Sequence, residues 1–367
     1  MIIDELVSFS NNCGADKELV LAGGGNTSAK DGKFMYVKGS GTALATITAD
    51  GFVKIDLEKL SAVFTKVYSE NDAEREAQVL EDVMASRAKG SEDKRPSVET
   101  TLHALFEQRF VLHLHPALVN GLTCSLGGEI AAKETIKRDF IWVDACKPGY
   151  ILAKLCKDKM DAFKASCGKA ADIIILQNHG IFFAADTVSE LYAMLGEVMA
   201  SLGSKIKTKP DFSAKEPSRS LKKLSASVIE GIPDIACCEL ITGSSAVAFC
   251  QDRSSAQVLL KPFTPDHIVY CKAYPSFLSR SCDIVCNAEQ YKAHYGFYPR
   301  VILCEGEGII CAGADQKQTQ TVKMLFEDAI KIAVYAESFG GALHMTEELT
   351  DFIVNWEVES YRSSQNK

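Results

Sequence analysis

The chain has 367 residues, of which 47% are hydrophobic and 24% are charged, and its formal net charge at pH 7 is -8. This length allows a substantial core and predicts two domains, whereas the negative charge and the lack of Lys/Arg clusters with interleaved aromatic residues argue against a nucleic-acid partner. No apolar run approaches the ~20 residues of a membrane span, and the amino terminus lacks a signal-peptide pattern, so we predict a cytoplasmic protein with no membrane partner.

The first 200 residues alternate between helical and strand-like segments, which is typical of an α/β fold. The hydrophobic spacing predicts helices over residues 1–11, 57–69 and 98–110, and strands over residues 33–38, 110–114 and 172–177. Between residues 204 and 220 the composition turns to Lys, Ser and Pro, which is typical of an exposed connector. We therefore predict a first domain over residues 1–205, a linker over 206–220 and a second domain over 221–367.

The second domain also has an α/β pattern. It has predicted strands at residues 246–250, 267–271 and 300–304 and a long helix from Thr319 onward. Aligning Gly180-Ile181 with Gly308-Ile309 reveals a weak internal repeat, in which Glu307 falls where His179 lies. Either the second domain is a degenerate copy that lost this histidine, or two buried strands that end in glycine are alike by chance.

The thirteen cysteines are an odd number and are scattered through apolar or helical segments. Without a secretory signal, this pattern predicts buried free thiols and no disulfide framework. The spacing of Cys282 and Cys286, and the adjacent pair Cys237-Cys238, do not match a zinc ribbon.

Three histidines lie in apolar segments, with a spacing that would let them bind one metal ion. Side chains two apart on a strand project from the same face, so His113 and His115 at the end of the predicted strand 110–114 would point together. His179 follows the predicted strand 172–177 at a turn, from which a third imidazole could reach the first two. Three imidazoles suit a zinc-like ion and leave one coordination position open, which predicts a catalytic metal site.

Each of these residues also has a structural interpretation. A single His-x-His pair on a strand is more often hydrogen-bonded or exposed than bound to metal. Glu99 follows Pro96 and Ser97, which form a helix start where an acidic side chain favours the helix dipole. The same glutamate also suits a general acid or base, and both interpretations stay open from the residues alone.

A glycine-rich segment, Gly23-Gly24-Gly25-Asn26-Thr27-Ser28, offers backbone N–H groups and hydroxyls that suit an anion. It is not a dinucleotide-binding fingerprint, because Ser28 occupies the place of the third glycine and the next residues form a turn into a strand. Further candidate anion-binding groups are the turn Lys38-Gly39-Ser40-Gly41-Thr42 and Ser97.

In this order the motifs resemble one family, the class II aldolase/adducin domain. Its sugar-phosphate aldolases, such as fuculose- and rhamnulose-phosphate aldolase, carry a Gly-Asn-x-Ser loop, a Ser/Thr-Gly turn, a Ser-x-Glu segment, His-x-His and a later His-Gly. The matching segments over residues 1–205 are Gly25-Asn26-Thr27-Ser28, Ser40-Gly41, Ser97-Val98-Glu99, His113-Leu114-His115 and His179-Gly180.

The resemblance implies a three-layer α/β/α domain around a mixed sheet, here followed by the second, smaller α/β domain. It implies a metal-dependent aldolase that cleaves or forms a carbon–carbon bond in a small sugar phosphate or related hydroxy-carbonyl compound, through a metal-stabilised enediolate. The expected cofactor is Zn²⁺ or another divalent ion such as Co²⁺, Mn²⁺ or Fe²⁺, and no nicotinamide cofactor is expected. Symmetric oligomers are common in the family, so we expect a homo-oligomer.

The resemblance also implies a role for each matching residue. The metal ligands would be His113, His115 and His179, and Glu99 would be the catalytic proton shuttle, with its pKa tuned toward the working pH by loss of solvent. The groups expected to hold the substrate's phosphate or carboxylate end are Asn26, Ser40, Gly41 and Ser97.

Two departures from the family pattern leave the reaction open. Val98 replaces a hydroxyl residue that often follows the first serine of the Ser-Glu segment, and Tyr150 is only a candidate for the second proton donor. The alternatives are an epimerase, decarboxylase or dehydratase that uses the same metal site, and a non-enzymatic adducin-like binding module.

Overall fold

The computed structural model of the protein describes residues 2–213 and 215–356. These residues form two compact units. The first contains the described residues up to Thr123, the segment Glu129–Ser204 and Trp356, and the second contains Cys124–Gly128 and the described part of Lys205–Asn355. The assignment of the two parts as a catalytic domain and a degenerate copy stays a prediction. In the described part of the chain, no helix combines the length and apolar character that crossing a membrane requires.

The first unit is built around a mixed β-sheet. Its strands are β1 (Asn26–Asp31), β2 (Phe34–Lys38), β3 (Phe52–Asp56), β4 (Phe110–Leu114), β5 (Ile141–Val143), β6 (Ile173–Leu176) and β7 (Gly180–Ala185). Their order in the sheet is β3-β2-β1-β4-β7-β6-β5. The strands β5 and β6 are parallel and the other neighbours are antiparallel, so the predicted mixed sheet is confirmed.

The helices of the first unit precede, separate and follow these strands in the sequence. They are α1 (Ile2–Ala15), α2 (Leu57–Ser61), α3 (Asp72–Ala85), α4 (Thr100–Leu105), α5 (Ala117–Thr123), α6 (Gly128–Thr135), α7 (Tyr150–Cys167) and α8 (Val188–Gly203). Their ends follow ordinary capping chemistry. The side chain of Asn71 accepts a hydrogen bond from the N–H of Glu74 at the start of α3, and Gly168 ends α7 in the left-handed region at φ 70°.

Helices cover both faces of the sheet. On one face, Leu102 of α4 packs with Val111 of β4 and Phe182 of β7, and α7 contributes to the same cluster. Alternate strand residues such as Leu112 and Phe183 project to the opposite face, where they are fully buried and where α8 packs against β4 and β7. The protein is therefore a mixed α/β protein with helices on both sides of a large sheet, and the predicted fold class is confirmed.

The second unit has a smaller sheet of β8 (Cys237–Ile241), β9 (Ser276–Leu278), β10 (Val301–Cys304) and β11 (Gly308–Gly313). Its helices are α9 (Arg219–Gly231), α10 (Ser244–Phe249), α11 (Arg253–Ala256), α12 (Pro265–Cys271), α13 (Ile284–Tyr295), α14 (Gln316–Ala336) and α15 (Glu347–Asn355). The strand order is β8-β11-β10-β9, in which only β9 and β10 are parallel.

This small sheet has the same order and strand directions as the segment β4-β7-β6-β5 of the first unit. In both, an antiparallel hairpin (β6–β7 or β10–β11) lies between an antiparallel neighbour on one side and a parallel neighbour on the other. A helix follows each hairpin, α8 in the first unit and α14 in the second. This correspondence supports the degenerate-copy interpretation of the repeat.

Two strands predicted in the second unit, at residues 246–250 and 267–271, are wrong, because these segments form the end and C-cap of α10 and most of α12. The sequence at the start of α12 does favour a helix, because Thr264 is the N-cap and Pro265 occupies the first turn. The short apolar segment that follows was predicted as a strand from its composition alone. A short apolar segment in a buried helix has the same composition as a strand, so only tertiary packing decides between them.

The connector is largely exposed, as predicted, but parts of it are hydrogen-bonded within the second unit. The backbone N–H of Lys207 donates to the hydroxyl of Ser338 at 3.0 Å, and that of Asp211 donates to the hydroxyl of Ser245 at 2.7 Å. Segments of this connector therefore belong structurally to the second unit.

Candidate active site

The site begins at the end of the central strand β4. His113 is the fourth residue of the five-residue strand, and His115 is the first residue after it. Their Nε2 atoms are 2.8 Å apart. His113 is completely buried, and its ring stacks on that of Phe182 with a centroid distance of 3.9 Å. The strand end thus delivers two imidazoles to one point.

The third histidine comes from the tight turn between β6 and β7. Asn178 has a positive φ of 55°, and the N–H of His179 donates to the carbonyl of Leu176 at 3.2 Å. Gly180 leaves room for the approach, because a Cβ at this position would lie 2.4 Å from the carbonyl oxygen of Leu114 and 2.6 Å from Cδ2 of His115. The glycine of the His-Gly motif is therefore required by the close contact between the turn and β4.

Glu99 joins the three histidines from the start of α4. Its Oε1 lies 3.0 Å from Nε2 of His113 and 3.3 Å from Nε2 of His179. It occupies the N-cap position of α4, but its side chain makes no capping hydrogen bond. The structure thus turns this carboxylate toward the histidines, and not toward the helix end that the alternative interpretation required.

Ligand atoms of Glu99, His113, His115 and His179 all lie within 4.8 Å of one another. Ligand atoms that share one zinc ion at about 2.0–2.2 Å must be close in this way. The sequence predicted three of these groups, the histidines, as metal ligands, whereas the structure offers four, so Glu99 could serve as a fourth ligand as well as a base.

The hydrogen-bond partner of His113 sets the direction of its lone pair. Nδ1 of His113 is 3.0 Å from the carbonyl oxygen of Ile181, and because that oxygen can only accept, Nδ1 carries the hydrogen. Burial lowers the pKa of His113 to about 4, so the ring is neutral near pH 7 and Nε2 presents its lone pair to the cluster. A neutral imidazole held by a backbone carbonyl is the usual form of a metal-binding histidine. The residues present therefore fit a divalent ion.

The charge of Glu99 departs from the expectation. Burial by itself raises the pKa of this carboxyl, but when Nε2 of His113 and His179 carry a hydrogen, their charge and hydrogen bonds outweigh burial and hold the pKa well below its ordinary range. A divalent ion in the place of those hydrogens would act in the same direction. The expected upward tuning of Glu99 is therefore not found in this arrangement, and the group is an ionised acceptor near pH 7. An ionised carboxylate is the form required of a general base and of a metal ligand.

Two of the predicted anion-binding residues adjoin Glu99. The side-chain amide of Asn26 donates to Oε2 of Glu99 and to the hydroxyl of Ser97, both at 2.7 Å. Asn26 pairs with His113 across β1 and β4, which explains how a loop motif near the amino terminus reaches the histidines. Asn26 is almost fully buried, and its Oδ1 has no hydrogen-bond partner among the described residues.

The other two predicted residues, Ser40 and Gly41, lie in the turn after β2. The N–H of Ser40 donates to the carbonyl of Arg95 at 2.8 Å, and that of Ser97 donates to the carbonyl of Lys38 at 3.1 Å, so this turn runs beside the Ser97 segment. Gly41 has a φ of 82°, which favours glycine.

The sequence did not predict a buried pair next to Asn26, formed by Ser28 and His103. The hydroxyl of Ser28 is 2.8 Å from Nδ1 of His103, which is completely buried and whose pKa burial lowers to about 3. The signal was available, because Asn26 and Ser28 are two residues apart on β1 and therefore face α4 together. Tyr150, in contrast, has its ring 4.9 Å from that of Tyr68, in an edge-on contact.

Comparison with known proteins identifies the family. Residues 4–203 match the family described as Class II Aldolase and Adducin N-terminal domain. The chain belongs to this family. Among solved structures, the N-terminal class II aldolase domain of a conserved protein from Thermoplasma acidophilum is 31% identical, with 56% of this chain and 94% of that chain covered and a TM-score of 0.48. An L-fuculose 1-phosphate aldolase is 17% identical, with 55% and 84% covered and a TM-score of 0.39.

A curated relative matches nearly the whole chain. The protein named "Uncharacterized oxidoreductase YuxG" of Bacillus subtilis (strain 168) is 23% identical over 98% of this chain. The chain spans 58% of the length of that relative. Class II aldolases use a divalent metal ion, and the cluster of Glu99 and the three histidines could bind one.

Proposed function

We propose that this member of the class II aldolase family is a metal-dependent aldolase that cleaves or forms a carbon–carbon bond in a small sugar phosphate or related hydroxy-carbonyl compound. The observation that carries the proposal is the convergence of three imidazoles and one carboxylate within 4.8 Å. A binding module would gain little from this arrangement, because four buried or half-buried ligand groups are costly to hold together without a cation.

In this proposal His113, His115 and His179 hold the divalent ion, which when bound supplies the Lewis acidity that polarises the substrate's carbonyl. The carbonyl of Ile181 keeps Nε2 of His113 directed at the ion by fixing the hydrogen on Nδ1. Gly180 allows the turn that carries His179 to approach His115 so closely that both histidines can bind the same metal ion.

Glu99 acts as the base. It removes the proton from the hydroxyl on the carbon that becomes the new aldehyde. The electron pair of the breaking carbon–carbon bond passes to the carbonyl side of the substrate and gives an enediolate, and the protonated Glu99 then returns the proton to carbon to complete the ketone product. Asn26 orients Glu99 by donating to Oε2, which leaves Oε1 on the side of the histidines. In the direction of bond formation, the same carboxyl returns the proton.

The anionic end of the substrate is bound by neutral donors. We propose the hydroxyls of Ser97 and Ser40 and the backbone at Gly41, because Ser97 adjoins Glu99 and the turn of the other two residues runs beside the Ser97 segment. Asn26 contributes by holding Ser97 in place, since its two amide hydrogens go to Ser97 and Glu99. Val98 contributes no hydroxyl here, so a phosphate would have fewer donors than in relatives with a second serine.

Metal content tests the site. The untagged 367-residue chain and its His115→Ala variant are analysed by mass spectrometry, with His294→Ala as a matched control because His294 is exposed in the second unit. We expect about one divalent ion per chain in the wild type and in the control, and loss in His115→Ala. No bound metal in the wild type, even after incubation with excess ion, would overturn the proposal.

Substrate tests separate the reaction classes. The metal-loaded protein is incubated with ketose 1-phosphates, including L-fuculose 1-phosphate, and the products are followed by NMR. Appearance of an aldehyde together with dihydroxyacetone phosphate supports the aldolase. Epimerisation, loss of carbon dioxide or loss of water without cleavage would instead support the alternative use of the same site. Because YuxG is named an oxidoreductase, nicotinamide absorbance is followed in the same reactions.

We further propose a homo-oligomer in the cytoplasm with a small-molecule substrate. Light scattering of the purified full chain tests the oligomeric state. A mass of two or more chains is expected, and a monomer at all accessible concentrations would contradict it.

A further inference from the structure

The helix α4 connects the candidate active site to a second, separate feature of the first unit. Along one face of β1, Asn26, Ser28 and Lys30 alternate with residues of the other face and contact α4 in order. Asn26 reaches Glu99 at the beginning of α4, and Ser28 reaches His103 in its last turn. Lys30 lies furthest from Glu99, where its ammonium group donates to the carbonyls of His103 and Gln108, both at 3.1 Å.

Beside Lys30 is a cavity of about 290 Å³. It lies among α2, α4, α7 and β1, and its walls are mainly apolar, formed in part by Leu60, Phe64, Phe106 and Met160. None of the candidate metal ligands or anion-binding residues lines it. The cavity is therefore a separate site, at the opposite end of α4 from Glu99.

Among the described residues, the charges that line this cavity leave one positive group, Lys30, without a carboxylate partner. Lys157 and Asp161 also line it, but they pair with each other at 2.5 Å. The acceptors of Lys30 are neutral backbone carbonyls. Burial lowers the pKa of Lys30 to about 7, and the charge of Asp186 opposes this only in part. The ammonium form is thus under-stabilised, which an anion in the cavity would correct.

We infer that this cavity binds a small monocarboxylate with an apolar chain, whose carboxylate pairs with Lys30 and whose chain lies against Phe64, Phe106 and Met160. The net charge of the lining groups, one unpaired ammonium, matches a single negative charge. A phosphate dianion would need a second cation and more donors than Lys30 and the neighbouring apolar walls provide.

Size supports the same class of ligand. Pockets for drug-sized molecules usually begin at about 300 Å³, so this cavity suits a short-chain carboxylate such as hexanoate. The apolar walls would remove most of the chain from water, which supplies the affinity, while the single charge pair supplies the orientation. The inference does not depend on the aldolase proposal, because it uses none of the proposed metal or substrate groups.

The test is a calorimetric titration of the 367-residue chain with hexanoate at pH 6.5, with hexan-1-ol and inorganic phosphate as comparison ligands. We expect saturable binding of hexanoate in the low millimolar range and at least about tenfold weaker binding of the other two. No saturable binding up to about 50 mM hexanoate, or equal binding of phosphate, would overturn the inference.

Variants locate the site. Lys30→Met should weaken hexanoate binding by at least about tenfold, because it removes the ammonium and keeps the chain length. Lys30 also holds the end of α4, so that variant could fail for structural reasons. Ala104→Leu keeps the lysine and fills part of the cavity, and it should also abolish binding. Lys154→Met, which removes an exposed lysine of α7 that does not line the cavity, should leave binding intact. Unchanged binding in Ala104→Leu and Lys30→Met would contradict the site.

Charge dependence gives a second readout. If hexanoate binds only the ammonium form of Lys30, its affinity should fall about thirtyfold between pH 6 and pH 8.5, since the charged fraction falls as the pH passes the pKa. The charged or titratable groups near Lys30 are His103, Lys157, Asp161 and Asp186. The His103 ring is neutral throughout this range, because burial lowers its pKa to about 3. An affinity that is independent of pH would exclude pairing with Lys30.

Discussion

The turn between β6 and β7 in the first unit and the turn between β10 and β11 in the second occupy the same place in two similar sheets. In the first, Leu114 pairs with Ile181, and in the second, Ile241 pairs with Ile309. Counting from these pairs places Thr242 where the first unit has His115, and Glu307 where it has His179.

The same correspondence extends to the helix before each neighbouring strand. Glu99 is the N-cap of α4 in the first unit, and Ser218 is the N-cap of α9 in the second. The hydroxyl of Ser218 donates to the carboxylate of Glu307 and accepts from the N–H of Leu221. The hydroxyl of Thr242 donates to the carbonyl of Lys215 at 2.6 Å.

The difference shows how the same arrangement of strands can hold either a cluster of metal ligands or a set of internal hydrogen bonds. In the first unit, imidazole lone pairs and a carboxylate converge, and a cation satisfies all of them at once. In the second unit, the corresponding polar groups are satisfied by the protein itself: the carboxylate of Glu307 accepts from the hydroxyl of Ser218, and the hydroxyl of Thr242 donates to a backbone carbonyl. These groups therefore need no ion. Changes at matched positions should therefore affect metal binding in one unit and only stability in the other.

The largest effect is expected from Glu99→Gln. If Glu99 is the base, turnover should fall about 10²–10⁴-fold while metal content stays near one per chain, because the amide cannot accept the proton. Steady-state rates with the best ketose phosphate and metal analysis of the same sample measure both. The matched change Glu307→Gln should leave turnover unchanged. Loss of metal in Glu99→Gln would show that Glu99 acts mainly as a ligand.

The next effect is expected from His115→Ala. Loss of an outer partner of a metal ligand costs about 10–100-fold in affinity, so loss of a ligand should exceed about 100-fold. Competition with a chromogenic chelator measures this affinity. The stabilisation that added metal gives to the wild type should also disappear. In Thr242→Ala, at the corresponding position, metal affinity should not change; a similar loss there would refute the asymmetry between the units.

A smaller effect is expected from Gly180→Ala. The new Cβ would lie against the carbonyl of Leu114 and the ring of His115, so we expect a loss of about 1–3 kcal/mol in the free energy of unfolding and weaker metal binding. The matched Gly308→Ala places a Cβ 2.8 Å from the carbonyl of Ile241 at a φ of 148°, and should destabilise the protein similarly. Denaturant unfolding measures the free energy of unfolding of both variants, and metal titration measures their affinity for the ion. Equal metal binding by both variants would contradict the role of Gly180.

The smallest effect is expected from Ser218→Ala. Removal of an N-cap hydroxyl costs about 1 kcal/mol, and Glu307 also loses its partner. Thr187→Ala, which removes the N-cap of α8 in the first unit, is the matched control of similar cost. Neither variant should alter metal content. If Ser218→Ala left the free energy of unfolding unchanged, the hydrogen bond from Ser218 to Glu307 would not stabilise the second unit in place of a metal ion.

Local patterns were enough for the features that depend on neighbouring residues. The alternation around His113 and His115 predicted a strand, the buried segment before Asn178 predicted another, and the strand at 300–304 and the helix from Thr319 are confirmed by β10 and α14. The order of the motifs was enough to predict the family, because each motif carries its own chemistry within a few residues.

The tertiary structure decided what depends on distant contacts. Short apolar segments at 246–250 and 267–271 became helices because packing, and not composition, selects their form. The direction of the Glu99 side chain, the downward shift of its pKa and the cavity beside Lys30 arise from groups far apart in the sequence. The sequence by itself determined which ligands were available, and only the folded sheet decided that they meet, since electrostatics and burial depend on distances that the sequence does not contain.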